Sequence, residues 1–188
     1  MKSLLIVTCA CVFFVAYACS VSGNGTEELQ VRVALTTGER SKDSGSNTTT
    51  ITVERDAIRW ERTSSRDRRR GTPPLRKEFI LSHADKESLL KLIRLKNLLV
   101  TDSIELPQAA SYYEYFRISV DLTLDGKKGA ISISGPITAV QVKEEKLYQN
   151  TLTLVKELYR IMNSQDKSVR FAELILEPIK TMTGETPK

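Results

Sequence analysis

A strict alternation of apolar and polar residues is the feature that most constrains the fold of this 188-residue chain. In FRISVDLTLDGKKGAISISGP, residues 116–136, every second residue before Asp125 is apolar, and Ile131 and Ile133 resume the alternation after the turn. Successive side chains of a strand point to opposite faces, so this period predicts strands with one buried face. The Asp125-Gly126 pair favours a tight turn. The segment is therefore predicted to be a β-hairpin.

The same period predicts four earlier strands. The first lies within residues 29–35, a hairpin with its turn near residues 54–56 follows, and the fourth strand covers residues 75–81. Runs of this kind bounded by turn residues are typical of half-buried strands. The apolar residues expected to face the core are Leu29, Val31, Val33, Leu35, Ile51, Val53, Ile58, Trp60, Leu75, Phe79 and Leu81.

Two segments change to helical spacing. In the first, residues 82–99, Ser82 is placed to cap the first turn together with Asp85; the second ends near residue 163. Their apolar stripes are Leu89, Leu92, Ile93 and Leu99, and Leu147, Leu154, Val155, Leu158 and Met162. The order ββββαββα predicts a two-layer α+β domain over residues 28–163, in which an antiparallel sheet of about six strands packs against two helices.

The first 18 residues have the pattern of an export signal. Lys2 precedes an apolar run that ends in the small residues Ala16 and Ala18, as secretory signals do. From Leu4 to Ala18 the run has 15 residues, fewer than the roughly 20 needed to cross a bilayer. We therefore expect residues 1–18 to be a cleaved signal peptide.

Cys19 is the candidate lipidation site. All three cysteines lie within the first 19 residues, so no disulfide is expected in the domain. VAYACS, residues 15–20, resembles the lipobox of bacterial lipoproteins, with Ala18 and Ser20 flanking the cysteine. The resemblance implies that Cys19 becomes residue one, carries acyl chains such as palmitate, and anchors the chain outside the cytoplasm, in the outer membrane or at the cell surface. The alternative is an ordinary signal-peptidase site that leaves Cys19 unmodified and the chain secreted.

Two polar segments flank the predicted domain. Residues 19–27 are expected to form the lipidated N-terminus and a short tether of Ser, Gly and Asn type. Residues 164–188 are expected to form a partly disordered C-terminal extension.

Positive charge is concentrated in one segment. Residues 55–77 contain nine Arg or Lys and three acidic residues, a net charge of +6, against +5 for the whole sequence. At its centre, residues 63–74 are predicted to be a basic loop. Arginine binds phosphate and carboxylate groups bidentately, so the anion-binding candidates are Arg66, Arg68, Arg69 and Arg70. Lipid headgroups, anionic envelope components or an acidic protein partner are the expected ligands; the alternative is a solvated loop that only maintains solubility.

Aromatic residues precede the central hairpin in SYYEYF, residues 111–116. Tyr113, Tyr115 and Arg117 share the polar face of the predicted strand, and tyrosine and arginine are enriched at protein interfaces. They form the interface candidate; the alternative is that the tyrosines cover the sheet edge or pack under the preceding loop. Trp60 is the one aromatic near the arginines and is assigned to the core, so no nucleic acid partner is expected.

The residue inventory argues against catalysis. His83 is the only histidine, it is expected at the surface, and no cysteine lies within the domain. Histidine-cysteine metal clusters and Cys-His nucleophile pairs are therefore excluded there. No glycine-rich phosphate motif is present, and no acidic residue occupies a predicted inward strand position. We expect no catalytic residue, no metal site and no cofactor, and predict a non-catalytic binding or scaffold domain.

A second resemblance concerns the globular part. FILSHADKESLLKLIRLKNLLVTDS, then FRISVDLTLDGKKGAISISG, then a closing helix are similar in element order to emfourin-type inhibitors of thermolysin-like proteases and to other small exported domains, over residues 75–163. The resemblance implies the alternative function of a secreted protease inhibitor and assigns no functional residue. An enzyme with an unrecognised carboxylate site is the remaining alternative.

Overall fold

The computed structural model describes residues 28–39, 45–105, 114–136 and 145–169. Within them lie seven strands and three helices. The strands are β1 Leu29–Glu39, β2 Ser46–Glu54, β3 Ala57–Ser64, β4 Leu75–Ile80, β5 Thr101–Glu105, β6 Glu114–Leu124 and β7 Lys127–Pro136. The helices are α1 Ser65–Arg69, α2 His83–Leu95 and α3 Lys146–Gln165.

All seven strands join one sheet in the order β4-β3-β2-β1-β6-β7-β5. Every neighbouring pair is antiparallel except β5 with β7, which is parallel. The turns at Asp125-Gly126 and at Arg55-Asp56 lie where the sequence predicts them. Asp125 and Gly126 both have positive φ, as a type I′ hairpin turn requires, and Arg55 has positive φ at the first position of its turn.

The predicted inward residues of β1, β2, β3, β6 and β7 form one buried row across the sheet. Val33 of β1, for example, pairs with Ile51 and Val120, and all three side chains are fully buried. The helices α2 and α3 supply the other half of this core. The opposite face carries exposed or half-buried residues, mainly Thr, Ser and charged side chains. The sheet therefore has one apolar face and one polar face, as its alternation predicts.

The predicted capping of α2 is confirmed. Ser82 Oγ accepts a hydrogen bond from Asp85 N at 3.2 Å and lies 2.6 Å from Asp85 Oδ2. Leu89 and Ile93 are buried as expected, whereas Leu92 and Leu99 are only partly buried and Leu90 takes a core position. The buried residues of α3 include four of the five predicted, with Leu147 partly buried.

Side chains clamp α3 to α2 beside the core. Arg160 Nη2 lies 2.8 Å from Asp85 Oδ1 and 2.8 Å from Glu157 Oε1, and Ser88 Oγ lies 3.2 Å from the same Glu157 oxygen. The Ser82 hydrogen bond is the main cause of the lowered pKa of Asp85, and the Arg160 hydrogen bond is the main cause of the lowered pKa of Glu157. Both carboxyl groups are thereby kept charged.

The α+β class is confirmed, but the expected purely antiparallel sheet of about six strands was wrong. The additional strand, β5, has one partly buried apolar residue, Ile104, and is held to β7 by backbone pairing. The structure also adds the short helix α1. Leu75 was wrongly assigned to the core; its side chain is 57% exposed because β4 is an edge strand and Leu75 is its first residue.

The predicted domain end at residue 163 falls inside α3, and packing continues to Val169, which is 2% exposed. At the last residue of α3, the Gln165 side-chain amide donates to Ile80 O at 2.7 Å and accepts from Ile80 N at 3.0 Å, as a neighbouring strand would. Lys77 Nζ contacts Asp166 Oδ2 at 2.6 Å. These contacts protect part of the exposed β4 edge. In the described ranges, no helix is long and apolar enough to cross a membrane.

Candidate functional site

The arginine-rich segment contains a short helix that is capped at both ends. Ser64 Oγ accepts a hydrogen bond at 3.3 Å from the amide N–H two residues later, which caps the start of α1. At the other end Gly71 has φ 70°. The N–H groups of Gly71 and Thr72 donate to the carbonyls of Arg68 and Asp67 at 3.1 and 2.9 Å. This pair of bonds is a Schellman motif, which glycine accommodates because its positive φ strains other residues.

The predicted basic loop over residues 63–74 is therefore corrected. Its first two residues, Thr63 and Ser64, belong to β3, residues 65–69 are helical, and residues 70–74 alone connect to β4. The hydrogen-bonding caps outweigh the polar composition on which the loop prediction depended. Ser64 and Gly71 were the available sequence signals, at the positions where helix caps are expected.

Two side-chain hydrogen bonds fix α1 to the end of the sheet. Ser65 Oγ accepts from Ser46 N, the first residue of β2, at 2.9 Å. Arg68 Nη2 donates to Thr63 Oγ1 of β3 at 3.1 Å. The helix buries no side chain of its own, so these polar contacts and the caps, together with the chain connection, determine its position.

Arg66, Arg68, Arg69 and Arg70 are all exposed on this segment. Within the part of the chain that the structure describes, none of their guanidinium groups forms an ion pair. With Asp67 as the one acidic residue among them, residues 65–70 carry a net charge of +3 (four Arg less one Asp). We call residues 65–70 the arginine surface.

A groove of about 850 Å³ lies beside the arginine surface, where β3 extends past the start of β4. The loop residues Pro73 and Pro74 form part of its wall. The polar residues that line it include Asn47, Glu61, Arg62, Thr63, Asp67 and Arg68. Its volume is within the range of small-ligand sites, and it is open to solvent along one side. Of the four predicted arginines, Arg68 contributes to the lining, whereas the other three lie on the exposed surface outside it.

Arg62 is a groove residue that the sequence did not single out. It lies in β3 opposite Thr49 and Leu75. Burial raises the pKa of the Tyr159 hydroxyl, and the positive charge of Arg62 partly offsets this rise. Glu61, which also lines the groove, is paired with Arg76 Nε at 2.8 Å. The alternation of β3 gave no reason to place Arg62 beside Arg68, because the groove depends on where β4 begins.

The structure describes two of the three interface candidates, Tyr115 and Arg117. Tyr113 lies outside the described residues. Tyr115 is half-buried, and its ring covers Gly38 of β1 so closely that a methyl group on that glycine would lie 2.9 Å from Cε1. Arg117 is exposed on the polar face of the sheet, opposite Thr36 and Ser134. Tyr115 thus packs against β1 in the middle of the sheet, and Arg117 is the exposed member.

Among the described residues, neither His83 nor the acidic residues form a catalytic or metal-binding group. His83 is exposed, with Nδ1 3.8 Å from Glu87 Oε1 one turn further along α2. Among the residues described, no group of three His, Cys, Asp or Glu is placed to hold a metal ion. Trp60 is 8% exposed and belongs to the core. Cys19 lies outside the described residues, so its lipidation stays a prediction.

No family model matches this chain, and no curated protein matches it significantly. The function is therefore inferred from the arginine surface and the groove beside it.

Proposed function

We propose that this protein is a non-catalytic, exported domain, tethered to a membrane by lipid on Cys19, that binds anionic groups through Arg66, Arg68, Arg69 and Arg70. The observation that carries the proposal is the set of four exposed guanidinium groups on a capped helix, none of them paired with a carboxylate in the described ranges. Arginine side chains that have no carboxylate partner among the described residues are available to an external anion.

The fixed position of α1 supports binding rather than solubility alone. A guanidinium group forms two parallel hydrogen bonds with a phosphate or carboxylate, and a held backbone reduces the entropy lost on binding. Both caps and the Ser65 contact with β2 restrain the backbone that carries these side chains. A segment that served only to increase solubility would need no such restraint.

The groove supplies a second set of polar groups to the same ligand. Arg62 and Arg68 line it together, and the hydroxyl of Thr63, which already accepts from Arg68, orients that guanidinium. An anionic group seated there would be within reach of exposed arginines outside the groove as well. Repeated anionic groups on one molecule fit this arrangement better than a single small anion.

The test is binding of inorganic polyphosphate to the full chain purified from membranes in detergent. Arg69→Ala with Arg70→Ala removes two exposed guanidinium groups and neither Schellman hydrogen bond, since both are backbone bonds. We expect affinity to fall about tenfold for each arginine that contacts the ligand, because a hydrogen bond to a charged group contributes about 1.5 kcal/mol.

Lys127→Ala with Lys128→Ala is the matched control, because it removes the same charge from the exposed start of β7. It should leave polyphosphate affinity nearly unchanged. Equal losses in the two double variants would show that net charge alone governs binding and would contradict a site at the arginine surface.

A further inference from the structure

We infer that the arginine surface faces away from the membrane that holds Cys19, so its ligand is a polyanion outside the bilayer and not the headgroups of the anchoring leaflet. This inference rests on the proposed function and specifies the partner of the same surface. The reason is the position of two points on the sheet: where the tether enters, and where α1 lies.

The tether enters at one end of the sheet. Glu28 is the first described residue, and its carbonyl accepts a hydrogen bond from Asp125 N at 3.3 Å. Leu29, which follows it, pairs with Leu124. The tether therefore joins the domain beside the β6–β7 turn.

The arginine surface lies at the opposite end of the same strands. β1 runs from Leu29 to the pair Gly38–Ser46, and Ser46 is hydrogen-bonded to Ser65 of α1. Gly38 is nine residue positions after Leu29, a distance of about 30 Å at 3.3 to 3.4 Å per position. Sheet register thus places the two ends about 30 Å apart.

The tether is short compared with the sheet, so the arginine surface could reach the bilayer only if the strands lay parallel to the membrane plane. Residues 19–27 number nine, and a chain of that length spans at most about 30 Å when fully extended. A flexible nine-residue chain of the predicted Ser, Gly and Asn type has a root-mean-square length of only about 16 Å. On average, then, the tether keeps the Glu28 end nearer the bilayer than the arginine surface.

The electrostatic field of the anchoring leaflet reaches mainly the tether end. The field of an anionic membrane decays with a Debye length of about 8 Å at physiological salt, so a surface about 30 Å further away is screened by more than three such lengths. At the tether entry, Lys127 and Lys128 lie beside the acidic residues Glu28 and Asp125. Charges of both signs therefore face the leaflet there, and the position of the tether sets the orientation.

The ligand of the arginine surface is then a polymer with repeated phosphate or carboxylate groups that binds from the side away from the membrane. Its net charge of +3 on residues 65–70 and the adjacent arginine-lined groove suit several anionic groups at spaced positions. A bound polymer would then be held away from the bilayer by roughly the length of β1.

Two measurements on the lipidated full chain in vesicles test this orientation. Thr72→Cys and Lys127→Cys place a single fluorophore at either end, both at exposed positions; lipidation consumes the Cys19 thiol, and Cys9 and Cys11 leave with the signal peptide. Energy transfer to a headgroup-labelled lipid should be much stronger from residue 127 than from residue 72. Equal transfer from both positions would overturn the inference.

The second measurement compares polyphosphate binding by the unlabelled chain on phosphatidylcholine vesicles and on vesicles with equal amounts of phosphatidylglycerol. Affinity should agree within about threefold, because the anionic headgroups are screened from the arginine surface. Binding on phosphatidylcholine that is lost on phosphatidylglycerol would overturn the distal orientation alone. Absence of polyphosphate binding on both, or failure of the chain to stay on vesicles, would instead overturn the proposed function.

Discussion

The sheet face beneath α2 and α3 and the arginine surface at the sheet end are held by different interactions. The covered face is a continuous apolar cluster in which most side chains are less than 5% exposed. The arginine surface buries no side chain and depends on hydrogen-bonded caps and on one side-chain hydrogen bond each to β2 and β3. Stability is thus concentrated in one region and ligand-accessible charge in the other, so the second can be altered without unfolding the first.

The largest effect is expected from Leu154→Ala in α3. Leu154 is fully buried in the apolar cluster, and truncating a buried leucine costs about 2 to 5 kcal/mol through lost burial and the cavity left behind. Urea unfolding followed by circular dichroism should show a free energy of unfolding lowered by that amount.

Leu95→Ala is the matched control for this variant. Leu95 is in the other core helix, α2, but 73% exposed, and exposed substitutions usually change stability by less than about 0.5 kcal/mol. Similar losses at both positions would show that the helices do not stabilise the domain through their buried faces.

The contrast between the two regions also explains which elements the sequence could predict. β1, β6 and β7 each place several apolar residues on one buried face, so these strands are recognisable from the alternation of apolar and polar residues. β5 has only Ile104 in that role and is held by backbone pairing to β7, which leaves no side-chain pattern. The fourth strand begins at residue 75 as predicted, but the alternation does not show that β4 is an edge strand, which is why Leu75 was misplaced in the core.

The candidate site was predictable in composition but not in arrangement. Four arginines close together in sequence indicated an anion-binding segment, and Ser64 and Gly71 were possible helix caps on either side of them. The grouping of Arg62 with Arg68 required the register of β3 and the path of the loop to β4. Tertiary geometry, and not local pattern, selects which arginines line the groove.

An intermediate effect is expected from Arg160→Gln, which breaks the clamp between α3 and α2. Arg160 contacts both Asp85 and Glu157, but its side chain is 55% exposed, so solvent screening limits its contribution to about 1 kcal/mol. Urea unfolding at neutral pH should detect this loss. Lys156→Gln, an exposed neighbour on the same helix, should change stability much less.

The Arg160 effect should also depend on pH with a definite sign. The folded chain lowers the pKa of Asp85 and Glu157 from ordinary values of 3.8 and 4.5. Their contribution is therefore complete above about pH 5 and is lost as pH falls through the lower folded values. The difference between wild type and Arg160→Gln should shrink when unfolding is repeated near pH 3. A constant difference across this range would mean that Arg160 acts through packing and not through its two carboxylate partners.

The smallest effect on global stability is expected from Gly71→Ala. Gly126→Ala is the matched comparison, because it makes the same substitution in a turn between core strands. Both glycines have positive φ, 70° and 77°, and an added methyl group would meet no atom within 4 Å at either position. The same substitution should therefore cost a similar local conformational energy, about 1 kcal/mol, at both turns. The two turns differ in what they join: Gly126 connects two core strands, whereas Gly71 ends a helix without buried side chains.

We expect Gly126→Ala to lower the free energy of global unfolding by about 1 kcal/mol and Gly71→Ala by less than about 0.5 kcal/mol. At Gly71 the cost should appear as local opening, with amide hydrogen exchange at Thr72 accelerated about fivefold because its bond to Asp67 O depends on the Schellman turn. Equal global losses at the two glycines would place α1 inside the cooperative unit. The arginine surface would then be part of the structural core's unfolding transition, and changes there could not be separated from changes in stability.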